Sequence, residues 1–480
     1  MKRNWLRNRA GIESKNKKAA SSRSGFFVPL SFRWSLPLSL LLSAVLFPLS
    51  VPQFAASPDI IQSPRSAGAS TQQARSLHRA PLLGADFTFS SDPFVLIEGW
   101  RDPKKGEEMA QAFHRGGLTT LRFLFGGIYS PLGEEATQRV KVENHRTNTY
   151  PWFPLDDYVD FIARHDFSTV VGVNVEEGPA VAFDAVKKFI DKGLKSRIVA
   201  VELSNEPWLN ERPWLPEEFA SLSADIIDRL ARLDVRFAIP LTVGGENKTP
   251  TRLTDDAWNR RMLESLSSRI DLKSRTDVYG VLHLYARGVS SDAVDKFNKA
   301  VRPFAPGMQY LVTEFNIKSN LSSNPQLTNA YAIEFARRLA ELMARPEIAA
   351  LYVHAVPYHS IMYWANGRRT ATVYGQRDSR LTREDLARGW HLTPAGRVYE
   401  LYSRLAWNGS IVSFRGGDQS YWTVVNDNGR TIVSLLNCTS RAIRKGISVG
   451  GMRLSLSAPP RSIVCFGSNG QEIERLVLPY

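Results

Sequence analysis

Cysteine is almost absent: Cys438 and Cys465 are the full complement of a 480-residue chain. Neither has metal-ligand spacing, so a disulfide scaffold and a cysteine metal site are both excluded. In an oxidising compartment the two could bridge, closing a loop that contributes about 3 kcal/mol in the chain-entropy model. Otherwise they are two buried thiols. No internal repeat is visible, and no glycine-rich phosphate loop follows the first candidate strand, which argues against a nucleotide-binding open sheet. Lysine-rich runs with interleaved aromatics are also missing. The formal charge of +14 is not evenly spread: residues 1–56 hold nine Lys/Arg against one acid, Glu13, leaving +6 for everything else. That small excess gives no reason to expect a nucleic-acid partner.

What is present is a globular composition, 43% apolar and 22% charged, long enough for two or three domains. Trp34 to Ala56 follows the basic leader and is almost free of charge (WSLPLSLLLSAVLFPLSVPQFAA), the pattern of an export signal. Phe54-Ala55-Ala56 is a poor cleavage site, so residues 1–56 are expected to be either a signal peptide or a retained membrane anchor with its basic end inside. Pro37, Pro48 and Pro52 count against a regular spanning helix. The mature protein is then extracytoplasmic: secreted, periplasmic, or anchored and facing outward. Residues 57–82 read as a linker, the Ser/Ala/Gln/Pro-rich stretch from Ser57 to Arg79 lacking apolar periodicity.

From Leu83 the texture alternates between strand and helix. Short apolar runs are expected as strands at Phe94–Ile97, Thr119–Phe125, Ser168–Val175, Ile198–Ser204, Phe237–Val243, Val278–Tyr285, Tyr310–Phe315 and Ala350–Val356. Helical spacing lies between most of them, as in Pro216–Leu233 with Phe219, Leu222, Ile226, Leu230 and Leu233 on one face. Eight such units over residues 83–405 predict a (β/α)8 barrel, with a doubly wound open sheet as the alternative. Residues 406–480 carry short strands separated by turn residues, a small antiparallel β-sandwich. Asp86–Ser90 is a further strand that this domain could recruit from before the barrel.

Two glutamates share one setting. Val201 to Trp208 reads VELSNEPW, and Pro207 ends the fourth strand by withholding an N–H and favouring an extended residue before it. Glu206 therefore belongs at the strand's carboxyl end, the edge where parallel α/β folds do chemistry. Glu314 holds the same place in Tyr310–Asn316 (YLVTEFN). Two carboxyl groups at the tops of two strands can flank one glycosidic bond, one protonating the leaving oxygen and the other attacking or activating water. A salt-bridged strand-end residue is the bland alternative for each.

Alternation along barrel strands puts Glu202, Ser204 and Glu206 on one face, with Glu202 deeper and in need of a partner, for which Arg122 is the natural choice. His283 and Tyr285 share a face of the sixth strand, and a phenol there can orient the Glu314 carboxylate. Trp208, Trp364, Tyr358 and Tyr363 follow strand ends, where flat rings stack on sugars. Glu176, Glu177 and Glu246 are the candidates if the pair is wrongly chosen. Four arginines after the eighth strand, Arg368, Arg369, Arg377 and Arg380, would suit an acidic glycan if they face the pair.

Glu202-Leu203-Ser204-Asn205-Glu206-Pro207 resembles the ExxNEP pattern of the retaining glycoside hydrolases of clan A. Thr313-Glu314-Phe315-Asn316 looks like their nucleophile segment, His283-x-Tyr285 like their sixth-strand motif, and Arg122 like their second-strand arginine. The closing Leu392-Thr393-Pro394-Ala395-Gly396 and Ala458–Val464 are similar to clan members with a C-terminal β-sandwich. The resemblance covers about Leu83 to the end and fixes no family. It implies a (β/α)8 barrel, Glu206 as acid/base, Glu314 as nucleophile, and Asn205 on the sugar 2-hydroxyl. Arg122, His283, Tyr285, Trp208 and Trp364 complete the expected carbohydrate site, and no metal or cofactor is implied. A non-catalytic glycan-binding barrel and a transglycosylase using the same residues are the competing readings.

Overall fold

A computed structural model describes residues 78–478, apart from 88–98, 124–137, 143–145, 151–154, 174, 210–213, 243–252, 286–290, 318–326, 357–360, 366–383, 385–386, 426–428 and 450. Eight parallel strands form a closed barrel: β1 (Leu82–Phe87), β2 (Thr120–Phe123), β3 (Ser168–Val173), β4 (Ile198–Leu203), β5 (Phe237–Pro240), β6 (Val278–Tyr285), β7 (Gln309–Asn316) and β8 (Ile348–Val356). Each is followed by a helix: α1 (Pro103–Arg115), α2 (Leu155–His165), α3 (Gly178–Asp191), α4 (Pro216–Leu230), α5 (Asp255–Ser267), α6 (Ser291–Val301), α7 (Asn329–Met343) and α8 (Pro394–Ala406). Helix starts follow capping chemistry. Asp102 accepts from the amides of Lys104 and Lys105, and Thr254, Thr328 and Thr393 cap α5, α7 and α8 through their hydroxyls. Pro394 occupies the first turn of α8, where its missing N–H costs nothing.

The first strand corrects the sequence reading. Leu82–Phe87 pairs in parallel with β8 and β2, closing the barrel, so Asp86 belongs to the barrel and not to a strand lent to the C-terminal sheet. Gly84 permits the close approach, since a Cβ there would collide with the Thr120 carbonyl oxygen. The expected strand Phe94–Ile97 lies outside the described residues. Helix α6, between the sixth and seventh strands, was not anticipated, because Ser291–Val301 shows its apolar face only in Val294, Phe297 and Val301.

Inside the barrel, Val170, Ala200, Ala238, Tyr279, Val281, Leu311, Ala350 and Tyr352 form an apolar floor distinct from the layer between strands and helices. Thr120 and Tyr352 share a hydrogen bond of 3.0 Å across it. After β8 comes a hairpin, β9 (Met362–Ala365) with β10 (Gly389–Leu392), whose Trp390 packs edge-on against Phe113 of α1 at 5.2 Å.

The C-terminal strands are β11 (Ser410–Arg415), β12 (Tyr421–Val425), β13 (Thr431–Asn437), β14 (Ile443–Val449), β15 (Met452–Ala458), β16 (Ser462–Gly467) and β17 (Glu472–Val477). A six-stranded sheet runs His78–Arg79, β11, β12, β13, β16, β17, and β14 pairs with β15 over a shared apolar core. His78 and Arg79, expected in the linker, are thus an edge strand against β11. The edge strand β17, with its exposed Glu472 and Arg475, escaped the sequence reading. Tyr402 of α8 meets Trp422 edge-on at 5.2 Å, tying the sheet to the barrel. Cys438 and Cys465 are free thiols, both pushed up to about 12 by burial. Trp34–Ala56 lies outside the described residues, among which no helix is long and apolar enough to cross a membrane.

Candidate active site

The residues two steps above the apolar floor are charged. Arg122 of β2 sits beside Asp86 of β1 in register, and both are buried. Its guanidinium binds Glu202 of β4 bidentately, Nε to Oε2 at 2.8 Å and Nη2 to Oε1 at 2.7 Å. The remaining donors reach Glu314 Oε1 at 2.9 Å, Asn205 Oδ1 at 2.8 Å and Asp86 Oδ2 at 3.5 Å. One planar cation thus holds three carboxylates and an amide, which five fixed N–H donors allow and an ammonium would not.

Glu314 reaches this layer because β7 is irregular. Val312 pairs with Leu282, but the next register partner of β6, His283, faces Glu314 instead of Thr313. The extra residue changes parity, so that Leu311 and Glu314 both face the interior. The Tyr285 hydroxyl donates to Glu314 Oε2. His283 Nδ1 lies 3.0 Å from Glu206 Oε1 and 3.5 Å from Glu314 Oε2. The two glutamates therefore share one imidazole. Glu314 is 1% exposed and Glu206 is 20% exposed.

The backbone around Glu206 differs from expectation. Ser204 and Glu206 have φ of 70° and 40°, where Pro207 would favour an extended residue before it. Such left-handed positions cost on the order of 1–3 kcal/mol each and persist when their surroundings hold them. Here the His283 contact grips the Glu206 side chain, and the Trp214 amide donates to the Pro207 carbonyl at 3.2 Å.

The electrostatics divide the carboxylates. Burial alone would raise Glu314, but His283, His354, Arg122 and the Tyr285 hydroxyl together hold it well below the usual carboxylate range. Burial pushes Asp86 up, with His354 and Arg122 opposing. Burial would lower His283, and the two glutamates raise it instead. Asp86, Glu314 and His354 bring three ligand-type atoms within 4.8 Å of one another. Arg122 already bonds two of the three.

Arg122, Glu202, Asn205, Glu206, His283, Tyr285 and Glu314 are thus brought together. Trp208 is not available for stacking: it is buried edge-on against Trp258 of α5 at 5.2 Å, because the turn after Pro207 folds it into the helix layer. Trp364 belongs to β9. Its hairpin docks on α1, where with Lys104, Lys105, Arg388 and Trp390 it lines a cavity of 520 Å³. Tyr363 stacks on His391 in the same hairpin. Glu177 is exposed in a short turn after β3. Glu246, Tyr358, the Glu176 side chain and Arg368, Arg369, Arg377 and Arg380 lie outside the described residues. Sequence reasoning missed Asp86 and His354. The signal for His354 was its place in the alternation of Ala350, Tyr352 and His354 along β8.

Similar solved structures include an endo-β-1,6-glucanase, with a TM-score of 0.52 and 13% identity over 82% of this chain and 91% of that one. A β-xylosidase of glycoside hydrolase family 39 from Caulobacter crescentus gives a TM-score of 0.50 and 13% identity, covering 77% of this chain and 84% of that one. No family model and no curated protein sequence matches. The chain has the fold of the clan A glycoside hydrolases, an eight-stranded parallel barrel with a C-terminal β-domain, and its family is unresolved.

Proposed function

We propose that the chain is a retaining glycoside hydrolase acting on an oligo- or polysaccharide. The observation that carries this reading is the convergence of Glu206 and Glu314 on His283. Its two contacts bound the separation of the carboxylate oxygens at about 6.5 Å, against roughly 5–5.5 Å between carboxyl groups in retaining enzymes and 6.5–9.5 Å in inverting ones. The contrast in burial and charge supports the division of labour. Glu314, held ionised among cationic donors, suits the nucleophile, and the more exposed Glu206 suits a group that exchanges protons with solvent.

In the first step Glu314 attacks the anomeric carbon while Glu206 gives its proton to the departing oxygen. In the second, Glu206 takes a proton from water, whose oxygen displaces the Glu314 ester. Asn205, held by Arg122, would hydrogen-bond the sugar 2-hydroxyl. The basic leader and apolar Trp34–Ala56 segment support action outside the cytoplasm.

A panel of aryl glycosides tests the activity, and azide tests the roles. Glu314→Ala should give an inverted glycosyl azide. Glu206→Ala should still accept dinitrophenyl glycosides, with azide rescue and retained configuration. Opposite configurations would exchange the two roles, and full turnover by both variants would place the chemistry elsewhere.

A further inference from the structure

Glu314 has a second set of neighbours on the seam that closes the barrel. His354 faces inward from β8, two steps above Ala350 and one above Tyr352 in the alternating pattern. The β8–β1 register is irregular just there, between Val353 and Val356. His354 Nδ1 lies 2.8 Å from Asp86 Oδ2 and 3.8 Å from Glu314 Oε2. Its backbone carbonyl accepts from the Asn316 amide, which the Tyr331 hydroxyl and the Ile317 amide fix in turn. Its ring meets the Tyr285 ring edge-on at 5.5 Å. Side chain and main chain are thus both anchored, and the anchors on either side belong to β1 and β7.

Charge balance among the described residues bears on the state of this ring. Asp86, Glu202 and Glu314 are three buried carboxylates facing one guanidinium, Arg122. A carboxylate left without a cation at this depth is costly, so it is either neutralised or paired. Among the described residues, the groups around His354 are Asp86 on β1, Arg122 on β2, His283 and Tyr285 on β6, and Glu314 on β7, with Glu202 of β4 and Glu206 just beyond it reached through Arg122 and His283. Of these, the two imidazoles can take up a proton as cations, whereas Asp86, which burial pushes up, can take one only by giving up its charge and with it the contact that holds the His354 ring as a cation.

We propose that Asp86 and His354 are a positioning pair for Glu314, in which Asp86 holds the imidazole as a cation against Glu314 Oε2 and keeps that carboxylate ionised and aligned. The inference rests on the reading of Glu314 as the nucleophile. It adds a support from β1 and β8 to those from β2 and β6, so that the carboxylate is held on both sides. The pair touches no reacting atom, and its effect is transmitted through Glu314.

The test reads the pair with no substrate present. In the full chain labelled with ¹⁵N-histidine, His354→Gln identifies the His354 signal by deleting it. In the wild type that imidazole should remain doubly protonated above pH 7. Asp86→Asn and Glu314→Gln should each lower its titration by about one pH unit or more. No movement in either variant overturns the proposal, and Glu314→Gln decides alone should Asp86→Asn not fold.

Activity gives the second readout. With a dinitrophenyl glycoside, His354→Gln should raise the acid limb of kcat/KM by about one pH unit, and adding Asp86→Asn should shift it no further. A rate loss that leaves the acid limb in place marks a merely structural role and overturns the proposal. If the titrations behave as expected but the wild type cleaves no glycoside, the pair stands and the hydrolase reading falls.

Discussion

The floor and the upper layer of the barrel are built by the same strands, two residues apart, and by opposite means. On β4 the step is from Ala200 to Glu202, on β2 from Thr120 to Arg122, on β8 from Tyr352 to His354. Below, side chains fill space and one hydroxyl pair is satisfied within the layer. Above, Asp86, Arg122, Glu202 and Glu314 are at most 2% exposed, and each depends on the others for compensation. Buried ion pairs contribute little net stability compared with apolar packing of the same volume. On the proposed reading the charged layer is kept for chemistry, and the floor beneath it supplies the rigidity that keeps its geometry.

The sharpest way to break this comparison is to remove the shared cation. Arg122→Met leaves three buried carboxylates without their guanidinium and should destabilise the fold by about 3–5 kcal/mol, measured by urea unfolding. A loss below about 1 kcal/mol would mean that the carboxylates do not depend on it. Next in size is the floor: Leu311→Ala should cost about 2–4 kcal/mol through the cavity it leaves. Turnover per folded molecule should hardly change, because no reacting group is touched. A large fall in turnover at full folding would show that the two layers are not separable.

Tyr285→Phe sharpens the contrast from the other side. It deletes a donor to the Glu314 carboxylate, a charge-assisted bond contributing about 1.5–3 kcal/mol, and should lower kcat roughly 10- to 100-fold. Stability at neutral pH should fall as well, because the depression of Glu314 is a contribution that is fully present there. Glu314 is depressed below its unfolded value of about 4.3, so it contributes stability above that pH, and the contribution is lost as pH falls through the folded value. Losing the phenol shrinks the depression. The variant's acid unfolding should therefore begin at a higher pH, and an unchanged onset would remove Tyr285 from the set of groups that hold Glu314 ionised.

The legible parts of this site were those carried by local pattern. Glu206 and Glu314 stood at the ends of apolar runs, and the alternation along β4 and β6 placed Glu202, His283 and Tyr285 correctly relative to them. Asp86 was misread because its strand is only Leu82–Phe87 and is held by pairing with β8, 268 residues later in the chain. No local signal encodes that closure. Trp208 and Trp364 failed for a related reason: an aromatic after a strand end can turn to the sugar or to the helix layer, and the choice is made by Trp258 and α1. The left-handed backbone at Glu206 was hidden as well, because the preference set by Pro207 is local and the His283 contact that overrides it is not.

The smallest expected effect lies at the boundary between the layers. Thr313 is fully buried in the β7 irregularity, and its hydroxyl has no hydrogen-bond partner among the described residues. The neighbouring register change is what turns Glu314 inward, and it is a backbone feature that any β-branched residue can occupy. Thr313→Val keeps the shape and removes the buried hydroxyl, so it should stabilise the protein by about 1 kcal/mol with unchanged kcat and KM. Destabilisation would mean that the hydroxyl has a partner, such as a buried water, and that the charged layer extends one residue further along β7. Unchanged stability with reduced kcat would assign the hydroxyl to Glu314 itself, which would make the extra residue of the irregularity part of the site as well as the cause of its geometry.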